Sequence, residues 1–217
     1  MRTTRLTAAY RRLLASSNAT RYAAEVDEHY SGNTLTSILA RGDVEHRRAA
    51  AMALGLVGGS ASIEALGRAL SDDDRGVRLV ADDSFRSLLL RDSAPMHHQQ
   101  LLKIMHLTDG GEFAAALAPS MILADQAPQY AEAHFQLANC WNGLDEHDKA
   151  RQSFVACLWR CRFHYAAWQG LSRCQVLAGD LRSAEVSLLH AIEIVPDLET
   201  ARIQLKSVRR RLRRSDV

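Results

Sequence analysis

The most constraining feature of the sequence is a pattern of small and large apolar residues that occurs twice between Ala131 and Leu198. Ala131 is place 1 of the first copy, and Tyr165 is place 1 of the second. Places 4, 7, 8, 11, 20, 24 and 27 of the first copy hold His134, Leu137, Ala138, Trp141, Ala150, Phe154 and Cys157. In the second copy they hold Trp168, Leu171, Ser172, Gln175, Ala184, Leu188 and Ala191. The two copies are 34 residues apart. A fixed period of this length is typical of a protein built from stacked repeats.

This pattern resembles the tetratricopeptide repeat, in which two antiparallel helices pack through small residues at places 8, 20 and 27. Counting back one period from Ala131 makes His97 place 1 of a further, degenerate copy. In this copy the large Ile104 replaces the small residue at place 8, and Pro119 falls inside the second helix. Proline removes one helical hydrogen bond and clashes one turn back, so we expect a kink or an early helix break between Ala115 and Pro119.

A different repeat occupies residues 34–92. The stretch GDVEHRRAAAMALG, which begins at Gly42, is echoed by DDRGVRLVADDSFR, which begins at Asp73. It is similar to the signature of HEAT repeats, Asp-x-x-Val-Arg-x-x-Ala-Ala-x-Ala-Leu-Gly, and the resemblance implies two helical hairpins. In the second copy Asp82 and Ser84 stand where the signature has alanine, so we expect that hairpin to pack more loosely.

Acidic residues stand where the helices of these repeats would begin. Asp43 is placed to cap the helix of the first signature, because its carboxylate can accept hydrogen bonds from amides of the first turn. Asp72, Asp73 and Asp74 similarly crowd the start of the corresponding helix in the second copy, where negative charge is favoured. We therefore interpret these acids as helix-capping residues and prefer this interpretation to metal binding.

The N-terminal segment is basic, with five arginines and no acid before Glu25. Such a composition fits a mitochondrial transit peptide. It also fits a basic first helix from Thr4 to Ala15, with an apolar stripe made of Leu6, Tyr10, Leu13 and Leu14. A second helix is expected from Thr20 to His29, with Gly32-Asn33 as its stop signal.

The C-terminal segment carries a strong charge asymmetry. Seven basic residues and one acid follow position 200, which leaves this tail at +6 and the rest of the chain at −4. The last helix of a repeat stack needs a polar outer face because no further repeat covers it, so we interpret the segment as a capping helix. The same charge could steer an acidic partner, a nucleic acid or an anionic membrane surface toward it.

Together these segments predict an all-α fold, an α-solenoid of stacked antiparallel helical hairpins that are first HEAT-like and then tetratricopeptide-like. The expected divisions are a basic helical N-terminus, HEAT-like repeats, tetratricopeptide-like repeats and a basic capping helix, over residues 1–33, 34–92, 93–198 and 199–217. Each hairpin exposes apolar surface that only its neighbour can cover, so stability should spread along the stack.

Nothing in the sequence matches a phosphate-binding loop, a nucleophile elbow or a dinucleotide fingerprint, so we expect a protein that is not an enzyme and needs no cofactor. The best metal candidate is Cys157-x3-Cys161-x2-His164, but Cys157 occupies the small, buried place 27, and we predict no metal site. Four reduced cysteines, no secretory signal and no apolar run of about 18 residues indicate a cytoplasmic protein without a membrane span.

The resemblance to tetratricopeptide repeats also implies where a partner would bind. In that family the first helices line a concave groove, mainly at places 2, 5, 9, 12 and 13. The matching positions here are His98, Leu101, Met105, Glu132, Phe135, Asn139, Asn142, Gln169 and Arg173. Phe135 would supply apolar contact, the asparagines hydrogen bonds, and Arg173 a charge-assisted bond to an acidic group. The implied function is a protein–protein interaction scaffold or adaptor that binds a peptide or protein segment.

Two other functions stay open at this point. HEAT-type repeats such as these also resemble those of phycobilin lyases and their relatives, which would make the chain a regulatory or lyase-like subunit, although the tetratricopeptide-like half argues against it. Nucleic-acid binding through the basic C-terminal helix is the third possibility. Its affinity would fall steeply with salt concentration.

The proposed repeat register can be tested at Ala184, which occupies place 20. A small side chain is needed there for the paired helices to approach, and overpacking a dense core typically costs about 1–3 kcal/mol. We expect Ala184→Leu to lower the melting temperature clearly. Arg182→Leu, at a position expected to be exposed, should change stability by no more than about 0.5 kcal/mol. If Arg182→Leu strongly lowers the melting temperature while Ala184→Leu melts at the same temperature as the parent, the proposed register is wrong.

Overall fold

The structure, a computed structural model, describes residues 4–215. Over this range the chain forms thirteen α-helices and no strand, which confirms the all-α prediction. The fold separates into two compact units, divided between Asp92 and Ser93. Each unit is a row of stacked helical hairpins.

Within its described residues, the first unit contains six α-helices and one short 3-10 turn at Ser60–Ser62. The helices are α1 Arg5–Ser16, α2 Ala19–His29, α3 Gly32–Arg41, α4 Val44–Val57, α5 Ile63–Ala69 and α6 Arg75–Arg91. The pairs α3/α4 and α5/α6 form antiparallel hairpins, with α3 beside α5 and α4 beside α6. This side-by-side order is the arrangement that the HEAT resemblance implies.

The Arg-rich segment is an integral helix of this unit. Helices α1 and α2 pack on each other and on α4. The Tyr22 hydroxyl donates to the Ala49 carbonyl of α4 at 2.7 Å, and Arg11 pairs with Glu45 of α4 at 2.5 Å. Three residues of the predicted stripe, Leu6, Tyr10 and Leu13, are buried, whereas the prediction for Leu14 is wrong because 64% of it is exposed. Helices α2 and α4 cover the side of α1 that carries Leu6, Tyr10 and Leu13, and Leu14 lies outside the covered side.

The predicted helix caps at Asp43 and Asp74 are confirmed. The Asp43 carboxylate accepts from the His46 amide at 3.0 Å, and Asp74 accepts from the Val77 amide at 2.9 Å. Asp72 has another role, since both of its oxygens accept from the Arg47 guanidinium at 2.8 Å. This bidentate pair ties α4 to the loop before α6.

Two local expectations for the first unit are wrong. Gly32-Asn33 does not end α2: Tyr30 ends it, and Gly32 begins α3, with Ser31 as the cap. The second HEAT-like hairpin is also not loosely packed at Ser84. A Cβ added to Gly55 of α4 would lie 2.5 Å from the Ser84 Cβ of α6, so the two helices are in very close contact. The missing side chain of the glycine makes room for the serine.

The second unit contains α7 Pro95–Asp109, α8 Phe113–Gln126, α9 Ala131–Gly143, α10 His147–Arg160, α11 Tyr165–Leu177, α12 Leu181–Ile194 and α13 Glu199–Ser215. Each helix packs on the next, and α7 and α9 also contact each other, as do α9 and α11. The helix starts follow the repeat period: α9, α11 and α13 begin at positions 131, 165 and 199. The period therefore extends into α13.

The small residues of the repeat pattern lie in the core of this unit. Ala138 and Ala150 have no exposed surface, and Ser172 and Ala184 are equally well enclosed. Arg182 is exposed, as the register requires. The last part of the core combines Ala184, Leu188 and Ala191 of α12 with Ala201, Leu205 and Val208 of α13.

Pro119 does not break its helix, and the expected early break is wrong. Helix α8 continues from Phe113 to Gln126 with Pro119 inside it. The carbonyl that proline leaves without a helical partner belongs to Ala115, an exposed residue. Water can reach that side of the helix and bind the free carbonyl, so the lost hydrogen bond costs little free energy there.

The close approach of α4 and α6 predicts that Gly55→Ala is destabilising. Alanine is the better helix former by about 1 kcal/mol. We expect overpacking against Ser84 to outweigh that gain, with a net loss of about 1–2 kcal/mol in the free energy of unfolding. Urea unfolding would measure it. Gly32→Ala is the control, because a Cβ at Gly32 meets nothing within 4 Å. Equal stability of the two variants would contradict the close contact.

Candidate functional site

The candidate site is the face that the first helices of the repeats share in the second unit. Helices α7, α9 and α11 lie side by side through the contacts α7/α9 and α9/α11. The row continues to α13, because the Gln169 side-chain amide of α11 donates to the Thr200 hydroxyl at 2.9 Å and to the Gln204 side-chain oxygen at 3.3 Å. We call this surface the first-helix face.

Glu132 was expected to line the groove, but it lies in the interior. One carboxylate oxygen is 3.0 Å from His164 Nε2, and the other accepts from the Gln136 amide at 3.4 Å. His164 is only 5% exposed, and its Nδ1 accepts from the Ala167 amide, so it caps α11. Because Nδ1 is an acceptor, the proton that bonds Glu132 sits on Nε2. The pair thus joins α9 to the start of α11 and is structural.

Leu101 also points away from the candidate surface. It has no exposed area, and it is buried on α7 together with Ile104. His98 and Met105 on the same helix are half-buried, and so part of each side chain stays accessible. Of the three groove positions predicted on α7, two are therefore partly exposed.

Phe135 forms the apolar centre of the first-helix face. Its ring lies 4.4 Å from the His164 ring and 6.0 Å from the Phe154 ring, measured between centroids. The side chain is half-buried, so one part of the ring packs on the fold while another part reaches solvent. A partly exposed aromatic ring held by rigid neighbours can contact a ligand at little entropic cost.

Polar groups follow Phe135 along the same face. Asn139 is half-buried, and its side-chain amide has no hydrogen-bond partner within residues 4–215. The side-chain oxygen of Asn142 is 3.9 Å from the Cys174 sulfur, which is at best a weak bond. Arg173 is exposed and has no ion pair with any described residue. These groups can therefore still donate to or accept from a ligand.

The sequence analysis missed the contribution of α13 to this face. Thr200, Gln204, Ser207 and Arg211 stand at places 2, 6, 9 and 13 when the repeat period is continued to Glu199. A cleft of about 290 Å³ lies between α11, α12 and α13, and Gln204, Ser207 and Arg211 are on its wall. Extending the period by one more copy would have identified these positions.

The four cysteines lie in the interior of the second unit. All four are free and buried. Burial raises the pKa of the Cys140 and Cys174 thiols, which favours the neutral, unreactive form. Within the described part of the chain, no group of three or more histidine, cysteine or acidic side chains is arranged to hold a metal ion.

A family model described as HEAT repeats matches residues 13–104. This confirms the prediction of HEAT repeats in the N-terminal half, and the match begins inside α1. No curated protein sequence matches the chain. None of the described helices is long and apolar enough to cross a membrane.

A solved structure resembles the fold of more than half of the chain. It is the type III secretion chaperone SycD of Yersinia enterocolitica, in complex with a peptide of the translocator YopD. The TM-score is 0.52 and the sequence identity is 15%, and the alignment covers 55% of this chain and 96% of the chaperone. The two proteins thus share a helical repeat fold.

The buried Glu132–His164 pair predicts a specific stability loss. Glu132→Leu leaves the donors of His164 and Gln136 without an acceptor, at about 1–3 kcal/mol for each buried group. We expect a total loss of about 2–4 kcal/mol in the free energy of unfolding, measured with urea. Glu132→Gln keeps an acceptor and should lose less. Glu193→Leu, at an exposed position, is the control and should stay within about 0.5 kcal/mol. If Glu132→Leu is as stable as the control, the pair has no structural role.

Proposed function

We propose that this protein is a non-catalytic, cytoplasmic interaction scaffold, and that the first-helix face of its second unit binds a peptide or protein segment. The observation that carries the proposal is the combination on α9 of a partly exposed aromatic ring, Phe135, with the side-chain amide of Asn139, which no described residue engages. A peptide backbone offers one donor and one acceptor per residue, and an asparagine side chain can bind both.

The tetratricopeptide-like register supports this assignment. It places Phe135, Asn139 and Asn142 on one side of α9, and Gln169 and Arg173 on the adjacent side of α11. Together with His98 and Met105 they give the proposed face apolar, amide and basic groups, which is a composition suited to peptide recognition. Glu132 and Leu101 act from behind this face, since they hold the helices that present it.

The structural neighbour adds support of a limited kind. SycD was solved with a peptide of YopD, so a fold of this type accommodates a peptide in that protein. At 15% identity the comparison concerns the fold, and the residues that would contact a ligand in the present chain come from its own sequence and geometry.

The proposal predicts that Asn139→Ala weakens peptide binding. The full-length chain would be screened on an array of synthetic peptides of varied sequence, and Kd values of the bound peptides would be measured by fluorescence anisotropy. We expect a three- to tenfold increase in Kd, because a neutral hydrogen bond contributes about 0.5–1.5 kcal/mol. Asn139 is preferred over Phe135 as the test site, since removing the ring would also disturb Phe154 and His164.

Gln152→Ala is the matched control for this experiment. It removes the same type of side chain from an exposed position on α10, a second helix of the repeat, and should leave Kd unchanged. Failure of every peptide to bind, or equal losses in Asn139→Ala and Gln152→Ala, would contradict the proposed face.

A further inference from the structure

The cleft between α11, α12 and α13 has an apolar wall beside two arginines. Its apolar side chains are Val176 and Leu177 of α11, Leu188 of α12 and Val208 of α13. Leu177 is 60% exposed, although leucine is a residue that proteins usually bury. The cleft volume of about 290 Å³ is at the small end of the range for ligand pockets, so it has room for one or two side chains.

The charges around this cleft are of one sign. Arg173 of α11 and Arg211 of α13 line it, and no acidic side chain among the described residues does. Neither arginine has an ion pair within residues 4–215. Other arginines of α13 do: Arg209 pairs with Glu185 at 2.6 Å, and Arg202 lies 3.9 Å from Glu199. The positive charge at the cleft is thus left uncompensated by the described part of the chain.

Hydroxyl and amide groups complete the lining. Ser172, Ser207 and Gln204 are on the wall, together with the apolar side chains and the two arginines. A peptide that enters this cleft would meet apolar side chains, hydrogen-bonding groups and two cations within one small volume. The complementary ligand has an apolar side chain next to carboxylates.

We propose that this cleft binds an acidic peptide segment, with one apolar side chain of the peptide against Val176, Leu177 and Val208, and with peptide carboxylates paired to Arg173 and Arg211. The inference rests on the proposed function, because it names the class of peptide that the first-helix face would select. It also extends that face to α13.

A nucleic acid fits the cleft less well than a peptide. Single-stranded nucleic acids are bound through aromatic side chains on which bases stack, and none of the described aromatic residues lines the cleft. A backbone of phosphates also needs a row of cations along its path. On α13, Arg202, Lys206, Arg209 and Arg213 stand on the opposite side of the helix from Arg211, about 140–180° around its axis, whereas Arg214 is about 60° from it.

The test uses the full-length chain and fluorescein-labelled peptides in matched pairs. Each acidic peptide has a central leucine or valine flanked by four Asp or Glu residues, and its twin has Asn or Gln in their place. We expect the acidic peptides to bind at least about tenfold more tightly than their twins, as charge-assisted bonds imply. Arg173→Glu and Arg211→Glu should each raise the Kd of the acidic peptides by about tenfold or more.

Arg213→Glu is the matched control, with the same change of charge on the same helix but away from the cleft. It should alter the Kd by less than about threefold at 0.15 M salt, because exposed charges are screened there. All three positions are exposed, so thermal melts of the variants should overlap with the parent. A variant with a lowered melting temperature would be replaced by the milder Arg→Gln change at the same position.

Each of the following results would overturn the inference. In the first, acidic peptides and their twins bind equally. In the second, Arg211→Glu and Arg213→Glu weaken binding alike, which indicates general attraction to a basic helix. In the third, a thymidine oligonucleotide displaces the acidic peptides at stoichiometric concentration. If neutral peptides bind, and Asn139→Ala raises their Kd while Arg211→Glu does not, the proposed first-helix face is supported. The preference for acidic peptides is then contradicted. If no peptide of either kind binds, both fall.

Discussion

Close contact between paired helices at small side chains is the constraint on which the second unit depends. Ala138, Ala150 and Ala184 have essentially no exposed surface, and larger side chains there would push the helices apart. Small residues recur with the period of the repeat in the α9/α10 and α11/α12 hairpins, so the paired helices can approach closely there. The first helices α7, α9, α11 and α13 lie side by side, and one face of the unit therefore collects residues that are far apart in the sequence.

The first unit meets the same requirement by different means. Gly55 makes room for Ser84 where α4 and α6 touch, and Arg47 binds Asp72 in the loop that precedes α6. A residue that departs from a repeat signature, such as Ser84, therefore does not have to loosen the packing. Its volume is matched by a change on the neighbouring helix, and the signature of one copy alone does not reveal such a match.

The helices themselves were largely predictable from the sequence, because capping and periodicity are local. The caps Asp43 and Asp74 form as expected. The misses occurred where local preference competes with surroundings. Gly32 begins a helix because Ser31 supplies the cap, and Pro119 stays helical because the carbonyl it frees belongs to an exposed residue. A glycine or proline therefore ends a helix only where no cap or solvent contact compensates for the free energy that it costs.

The sequence alone determined that the chain consists of helical repeats, with HEAT repeats in its N-terminal half, and which helices pair, because these follow from spacing along the chain. The same spacing predicts the side of each first helix on which a partner would bind. The tertiary structure decided which of those residues remain accessible. Glu132 has the register of a surface residue, yet His164 of the following repeat draws it into the interior. Arg211 belongs to a terminal helix, yet it lines a cleft with Arg173. The repeat period could have placed Arg211 on this face, but burial and pairing depend on side chains that other helices bring near.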